Sequence, residues 1–196
     1  MAYFNKDELI QRSRIIESNL QKSCDSFYFS ETQRLNDFDI FLSHSSADKD
    51  AIRGLKEKLE KEFGFTVYVD WINDPQLDRS HVTSATASVL QERMQHSKCL
   101  FYATSSNSSK SIWMPWETGY MDGYNGKVAI CPLIGNTTEN YKGIEFLGLY
   151  PYVDIAGMQN HEGKYLWINF PNGNNSVECS NWLKGREEKK CTEVLI

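Results

Sequence analysis

The sequence predicts an α/β protein with a mostly parallel central sheet that is covered by helices on both faces. Short apolar runs of strand length alternate with amphipathic helical segments from residue 38 onward. This alternation is typical of βαβ units, in which each strand is buried between helices. Hydrophobic residues make up 40% of the 196 residues, which is enough for a substantial core.

Each element is expected from a local pattern. Strands are predicted at residues 38–43, 65–70, 98–103, 128–134 and 150–155. Helices are predicted at residues 5–27, 48–63, 80–96 and 111–126, with a short one at 177–184. In the second helix apolar residues repeat at a spacing of four, and Gly64 ends it. In the third helix the residues expected to face inward are Val82, Ala85, Val89 and Met94.

Composition and charge exclude several classes of protein. The net charge of -5 and the lack of a basic cluster argue against nucleic-acid binding. No apolar run approaches the roughly 20 residues of a membrane span, and the amino terminus turns polar too early for a signal peptide. The four histidines lack metal-binding spacing, and the five cysteines form no CxxC pair. We therefore expect a cytoplasmic protein that binds no nucleic acid, membrane or metal.

Candidate site residues follow the predicted strands. Ligands of an open parallel sheet bind at the carboxyl ends of its strands. Polar or aromatic side chains follow the first three strands there: Ser43, His44, Asp70, Trp71, Thr104 and Ser105. One loop later begins a helix with Pro115 in its first turn, where the missing backbone donor costs nothing. At helical spacing Trp113, Glu117, Tyr120 and Tyr124 share one face of this helix.

Two interpretations of this helix stay open from the residues alone. In one, an acidic first turn precedes an aromatic stripe that only packs into the core. In the other, Glu117 is a catalytic carboxylate with aromatic walls. The motifs GxGxxG, GxxxxGK[ST] and GxSxG are absent, which excludes the usual dinucleotide, phosphate-loop and serine-nucleophile sites.

A single carboxylate suits one particular reaction. Glycosidases need two carboxylates, because their alkoxide leaving group must be protonated. Nicotinamide leaves NAD+ as a neutral molecule, so one glutamate is enough to stabilise the ribosyl cation. Aromatic faces suit the flat pyridinium ring through stacking and cation–π attraction. Glu117 therefore fits NAD+ as a substrate, with no cofactor required.

Two segments resemble the Toll/interleukin-1 receptor (TIR) domain family. Phe38-Asp-Ile-Phe-Leu-Ser-His-Ser-Ser-Ala-Asp-Lys49, followed by an amphipathic helix and Val67-Tyr-Val-Asp70, is similar to the opening of the family. Ser111-x-Trp113-x-x-x-Glu117 is similar to its third-helix signature, in the version found in bacterial members such as those of Thoeris antiphage systems. The resemblance runs from about residue 37 to 155 and implies a flavodoxin-like parallel sheet of about five strands.

The resemblance also implies an activity and a set of site residues. It implies cleavage of the nicotinamide–ribose bond of NAD+ to ADP-ribose, a cyclic ADP-ribose isomer or an ADP-ribose conjugate as an antiphage signal. Glu117 would be catalytic, and Trp113 would line the nicotinamide or ribose side. The other candidate substrate-binding residues are Phe41, Ser43, His44, Asp70, Trp71, Trp116 and Tyr120.

The sequence departs from the family pattern at two places. The loop from Trp71 to His81 would gate the pocket, yet Asp78-Arg-Ser-His-Val82 replaces its usual Gly-x-x-Ile run. Trp116 stands where the family usually has a smaller or polar residue. These differences bear on assembly through the loop and on the substrate pose, and leave the glutamate untouched.

Two other functions remain open. A non-catalytic TIR module would assemble signalling complexes, but it has no need of the Trp113–Glu117 pair. A nucleoside deoxyribosyltransferase-like enzyme would also pair one glutamate with a ribose. For the NAD+-cleaving enzyme, the expected partners are further copies of its TIR domain and a downstream effector that senses the nucleotide product.

The sequence divides into three predicted parts. They are an N-terminal helical segment (1–36), the TIR domain (37–157) and a C-terminal extension (158–196) that packs on the domain and ends in a loose tail. The N-terminal helix carries an apolar stripe of Leu9, Ile16, Leu20 and Phe27. This stripe must pack somewhere, either on its own domain or against another copy in self-association.

Overall fold

The described strands form one sheet. The computed structural model describes residues 2–22, 37–77, 83–135, 145–158, 161–171, 175–185 and 189–190. The strands in this part of the chain are β1 (Phe4–Asn5), β2 (Phe38–Ser43), β3 (Val67–Tyr68), β4 (Ser97–Thr104), β5 (Val128–Ile134), β6 (Tyr152–Met158), β7 (His161–Asn169), β8 (Asn175–Glu178) and β9 (Lys189–Lys190). The helices are α1 (Lys6–Lys22), α2 (Lys49–Phe63), α3 (Asp70–Asn73), α4 (Ser84–Gln95), α5 (Trp113–Asn125) and α6 (Cys179–Leu183).

The middle of the sheet confirms the predicted fold class. Five parallel strands lie in the order β3-β2-β4-β5-β6, which is the flavodoxin-like arrangement. The strand predicted at residues 65–70 is paired only at Val67 and Tyr68, because Asp70 already begins α3. β7, β8 and β9 continue the sheet in antiparallel fashion beyond β6, so the C-terminal extension packs on the domain as part of its sheet.

Helices cover both faces of the sheet, and each face has its own core. On one face α1 and α2 bury Leu9 and Leu55 against Ile40 of β2. On the other face α4 and α5 bury Leu90 and Met121 against the opposite side of the strands. In the described parts of the chain, no helix combines the length and apolar character needed to cross a membrane.

The buried face of α4 differs from the predicted one. The buried residues are Thr86, Leu90, Arg93 and Met94. Ala85 is exposed and Val89 is half-buried, so the prediction for these two is wrong, and Val82 lies outside the described residues. The physical reason is electrostatic. Arg93 donates two hydrogen bonds to the buried Asp74 carboxylate and thereby turns its own side of the helix inward.

The N-terminal segment packs on its own chain. β1 pairs in parallel with the end of β5, where Phe4 lies opposite Leu133. Leu9 of α1 is buried and approaches Gly54 of α2 so closely that a β-carbon there would lie 2.0 Å from the Leu9 carbonyl oxygen. Residues 23–27, predicted to continue this helix, lie outside the described residues. The observed packing accounts for the start of the apolar stripe, and a role in self-association stays a prediction.

Asp154 on β6 is buried in the sheet. It is 1% exposed, and its two carboxylate oxygens make no hydrogen bond of good geometry with the described residues. Burial raises the pKa of this carboxyl from 3.8 to about 6, and the nearby Asn169 side chain only partly opposes the shift. The folded protein therefore favours the protonated form of Asp154 more than the unfolded chain does.

We expect Gly54→Ala to lower the free energy of unfolding by about 1–3 kcal/mol or more, because the added β-carbon collides with the backbone of α1. The matched control is Gly123→Ala on the exposed side of α5, where an added β-carbon meets no atom within 4 Å. This control should raise stability by up to about 1 kcal/mol, the usual gain of alanine over glycine in a helix. Denaturant unfolding measures both, and an equal gain in both variants would contradict the α1–α2 packing.

Asp154 should make stability depend on pH in a specific window. Because its folded pKa of about 6 exceeds its unfolded value of 3.8, stability rises as pH falls from about 6 toward 4, where the folded protein takes up the proton first. The full shift is worth about 3 kcal/mol. Asp154→Asn should remove this part of the pH dependence and be more stable than wild type at pH 7. Equal slopes for the two proteins in thermal melts between pH 4 and 6 would contradict the assignment.

Candidate active site

Glu117 lies in the second turn of α5, directly above the end of β2. The helix begins at Trp113 and has Pro115 in its first turn, as predicted. The Glu117 side chain is fully buried and accepts a hydrogen bond of 2.5 Å from the Ser43 hydroxyl. Ser43 is the last residue of β2, so the register of the sheet fixes the position of this donor.

The strand next to β2 supplies a second neighbour of the carboxylate. Tyr102 of β4 pairs with Ser43 across the sheet. Burial raises the pKa of Tyr102, a hydrogen bond with Ser108 lowers it, and the negative charge of Glu117 raises it further. The carboxylate of Glu117 therefore lies over two adjacent strand ends.

The predicted face of α5 is buried or half-buried except at its last residue. Trp113 and Glu117 are buried on the same side of the helix, and the ring of Trp113 meets that of Trp116 edge to face at 5.5 Å. Trp116 and Tyr120 are half-buried against the same core, and the rings of Trp116, Tyr120 and Tyr124 stack in a row with centroids 6.0 and 6.3 Å apart. Tyr124 at the end of the helix is 51% exposed, so the prediction is wrong for this residue.

A pocket of about 580 Å³ opens beside the buried glutamate at the carboxyl edge of the sheet. Its lining residues come from the segments after β2, after β3 and before α5: His44, Ser45, Ser46, Ala47, Lys49, Asp70, Trp71, Leu77, Lys110, Ser111, Ile112 and Trp113. Glu117 does not line this pocket, because it is fully buried one helical turn after Trp113.

His44 and Trp71 are hydrogen-bonded to each other in the pocket wall, and the Asp70 carboxylate lies close to both. The Nδ1 of His44 lies 2.8 Å from the Leu42 carbonyl oxygen. The indole Nε1 of Trp71 donates to the Nε2 of His44 over 3.1 Å. The Oδ1 of Asp70 lies 3.4 Å from the same Nε2. Both His44 and Asp70 are almost completely buried, so their positions are fixed by these contacts.

Two cations lie over the ring of Trp71. The Nζ of Lys49 is 5.5 Å and the Cζ of Arg53 is 5.1 Å from the ring centroid. Arg53 also forms an ion pair with Glu17 of α1. The N-terminal helix is therefore connected through Arg53 to a side chain of the pocket wall.

Asp48 joins the loops that follow β2 and β4. Its carboxylate accepts hydrogen bonds from Lys6 at 2.6 Å, Ser105 at 2.5 Å and Asn107 at 2.8 Å. Burial alone would raise the pKa of Asp48, but these three hydrogen bonds outweigh burial and hold the pKa below its ordinary value. Sequence reasoning did not select Asp48 as a site residue, although it lies within the quoted motif that opens the TIR resemblance.

Asp74 anchors the segment that follows β3. It accepts two hydrogen bonds from Arg93 of α4, at 2.7 and 2.9 Å, and one from the Tyr68 hydroxyl at 2.8 Å. All three side chains are buried. Because the anchor lies between Trp71 and Leu77, it holds both of these pocket residues against the domain.

The structure brings most of the predicted site residues together. Around or directly behind the pocket lie Ser43, His44, Asp70, Trp71, Trp113 and Glu117. Phe41 lies deeper, stacked on Tyr68 in the core, because it is two residues before Ser43 on the same side of β2. Trp116 and Tyr120 are half-buried against the core beneath α5 and do not line the pocket. His81, with Asp78 to Val82, lies outside the described residues, within which no three His, Cys, Asp or Glu side chains group to hold a metal.

Fold and site together define a TIR domain. Residues 40–166 match the family described as TIR domain, and the chain belongs to this family. It is 42% identical over 199 aligned residues to a Bacillus cereus (strain MSX-D12) protein named "Probable 3' cyclic ADP-D-ribose synthase ThsB'", with 94% of this chain and 99% of that protein covered. A Cytobacillus dafuensis protein is named "Putative cyclic ADP-D-ribose synthase TIR2". It is 30% identical to this chain, over 52% of this chain and 27% of that protein.

We expect Asp74→Asn to destabilise the fold strongly, because the buried Arg93 guanidinium loses its counter-charge. Breaking one partner of a buried pair typically costs about 3–5 kcal/mol. The matched control is Asp37→Asn, which alters an exposed contact with His96 and should change stability by less than about 1 kcal/mol. Denaturant unfolding measures both variants, and a loss at Asp74 no larger than that at Asp37 would contradict the anchoring role.

Proposed function

We propose that this TIR protein cleaves the nicotinamide–ribose bond of NAD+ and closes the remaining ADP-ribose into a 3′-linked cyclic product. The observation that carries the proposal is the Glu117 carboxylate, buried behind an aromatic-lined pocket at the carboxyl edge of a parallel sheet. The names of the two relatives, "Probable 3' cyclic ADP-D-ribose synthase ThsB'" and "Putative cyclic ADP-D-ribose synthase TIR2", support the same reaction class, and the first also supports the 3′ product.

The charges of the pocket suit a dinucleotide. NAD+ carries two negative charges on its diphosphate and one positive charge on its nicotinamide ring. Lys49 and Lys110 line the pocket and would attract the diphosphate. The indole rings of Trp71 and Trp113 offer apolar faces for the bases. A volume of about 580 Å³ lies within the usual range for small-molecule sites.

Glu117 would act on the ribose next to the nicotinamide. As the carbon–nitrogen bond breaks, nicotinamide leaves with the bonding electrons, and positive charge develops on the ribosyl carbon. A carboxylate in a water-poor site stabilises this charge far more strongly than it does in bulk water. Ser43, which donates to Glu117, would hold the carboxylate oxygen toward the pocket side of β2.

The product would serve as a signal. We infer that a downstream effector senses the cyclic nucleotide, that the enzyme acts in the cytoplasm in antiphage immunity, and that its TIR domains self-associate. The exposed side chains of Ile112 (72%) and Tyr124 (51%), with the half-buried rings of Trp116 and Tyr120 between them, support an assembly surface on α5. Mass photometry of the intact chain at rising concentration tests the assembly.

The catalytic assignment is tested with Glu117→Gln. This variant should keep the fold, because the amide still accepts the Ser43 hydrogen bond, and should lose NAD+ cleavage by about a hundredfold or more. The measurement is nicotinamide release from NAD+, with products resolved by mass. Glu92→Gln on the exposed side of α4 is the matched control and should cleave at the wild-type rate. Wild-type turnover in a folded Glu117→Gln protein would disprove the assignment.

A further inference from the structure

We infer that His44, assisted by Asp70, is the proton acceptor for the ring-closing step. This inference rests on the proposed function and adds a second chemical group to it. In the closing step a ribose hydroxyl attacks the ribosyl carbon, a carbon–oxygen bond forms, and the hydroxyl proton must leave. The sum is NAD+ giving cyclic ADP-ribose, nicotinamide and one proton. Nicotinamide leaves as a neutral molecule and accepts no proton, so the hydroxyl proton passes to a base of the protein or to solvent.

The hydrogen bonds of His44 define its state. The Leu42 carbonyl oxygen can only accept, so the Nδ1 of His44, 2.8 Å away, carries a hydrogen. The indole of Trp71 can only donate, so the Nε2 of His44, 3.1 Å away, presents a lone pair. His44 is therefore held as the neutral Nδ1–H tautomer with its basic nitrogen in the pocket wall.

The same surroundings also fit the protonated ring. The Asp70 carboxylate oxygen lies 3.4 Å from Nε2, so its negative charge would stabilise a proton on this nitrogen, while Nδ1 keeps its bond to Leu42. The Trp71 indole donates to Nε2 in the neutral state and has to turn away when the substrate hydroxyl takes its place. A hydrogen-bond acceptor at one nitrogen and a carboxylate charge beside the other stabilise a histidine base after it takes a proton.

Glu117 is a poorer acceptor for this proton. It already accepts the Ser43 hydrogen bond, and it stabilises the ribosyl cation only while its carboxylate stays negatively charged. His44 follows Ser43 in the chain and does line the pocket. The two consecutive residues thus have different roles. Ser43 orients the carboxylate that stabilises the ribosyl cation, and His44 accepts the proton of the attacking hydroxyl.

Water and the ribose hydroxyl compete for the same ribosyl carbon. The hydroxyl attacks only when its oxygen is made nucleophilic within the pocket, whereas bulk solvent disperses the proton of an attacking water. Loss of the base therefore shifts the products from cyclic to linear ADP-ribose. The ratio of cyclic to linear product reports this role, whatever total turnover a variant retains.

The charged groups near His44 set how this ratio responds to pH. They are Asp70 from α3, Lys49 and Arg53 from α2, Lys110 before α5, and Glu117 behind Ser43. Only neutral His44 can accept the proton of the attacking hydroxyl. The cyclic-to-linear product ratio of the wild type should therefore rise with pH, along the curve expected for the loss of one proton. In Asp70→Asn the carboxylate no longer stabilises the imidazolium, and the midpoint of this curve should move to lower pH.

The experiment measures the product ratio from NAD+ by mass for the intact wild-type chain, His44→Gln and Asp70→Asn across pH, with thermal melting as the check on folding. We expect His44→Gln to lower the cyclic-to-linear ratio at least tenfold and to abolish its pH dependence. His96→Gln is the matched control. His96 also contacts an aspartate, Asp37 at 2.9 Å, but is exposed, and its variant should keep the wild-type ratio and pH curve.

Several outcomes overturn the inference. One is an unchanged cyclic-to-linear product ratio in a folded His44→Gln protein. Another is a wild-type product ratio that does not vary with pH. The second outcome can be measured even if both variants fail to fold. Nicotinamide release with only linear product overturns this inference and leaves the cleavage proposal standing. Absence of nicotinamide release from wild type overturns both.

Discussion

The hydrogen bond between Ser43 and Glu117 is the constraint on which the site depends. A carboxylate without contact with solvent is costly by several kcal/mol unless hydrogen bonds compensate. Here the donor comes from the end of a central strand, so the position of the carboxylate is set by β2 and not by a surface loop. Helix α5 must then start close to the strand end, and the proline in its first turn favours that start.

Around this bond, three acidic residues hold the loops of the site. Asp48 joins the turn after β2 to the loop after β4, Asp74 fixes the segment after β3 to α4, and Asp70 faces the histidine of the pocket wall. Among the described segments, those that follow β2, β3 and β4 are thus held by Asp48 and Asp74, two buried charges with hydrogen-bonded partners. Burying these charges costs desolvation free energy, but their hydrogen bonds hold each loop in one position. A pocket for an extended, charged ligand requires loops with fixed positions.

The fold was predictable because its signals are local. Helix spacing, the glycine after α2 and apolar runs of strand length determine the five parallel strands, and the rule that ligands bind at strand ends located the edge of the site. Other features depend on distant partners. The inward turn of Arg93 requires Asp74, nineteen residues earlier, and the burial of Asp48 requires Lys6 and Ser105. The helical spacing of Trp113, Tyr120 and Tyr124 gives no sign that Tyr124 is the exposed ring.

The position of β1 has a consequence for how the chain is made. β5 and β6 pair directly only at Ile130 and Tyr152, and past this point Phe4 pairs with Leu133 while Ala2 bridges to Ile155. Ala2 and Phe4 are therefore synthesised long before their partners Ile155 and Leu133. Loop closure over such a separation is slow and entropically costly. During synthesis β1 has no strand to pair with until β5 has been made, and its bridge through Ala2 waits for β6, so this seam forms after the central strands are complete.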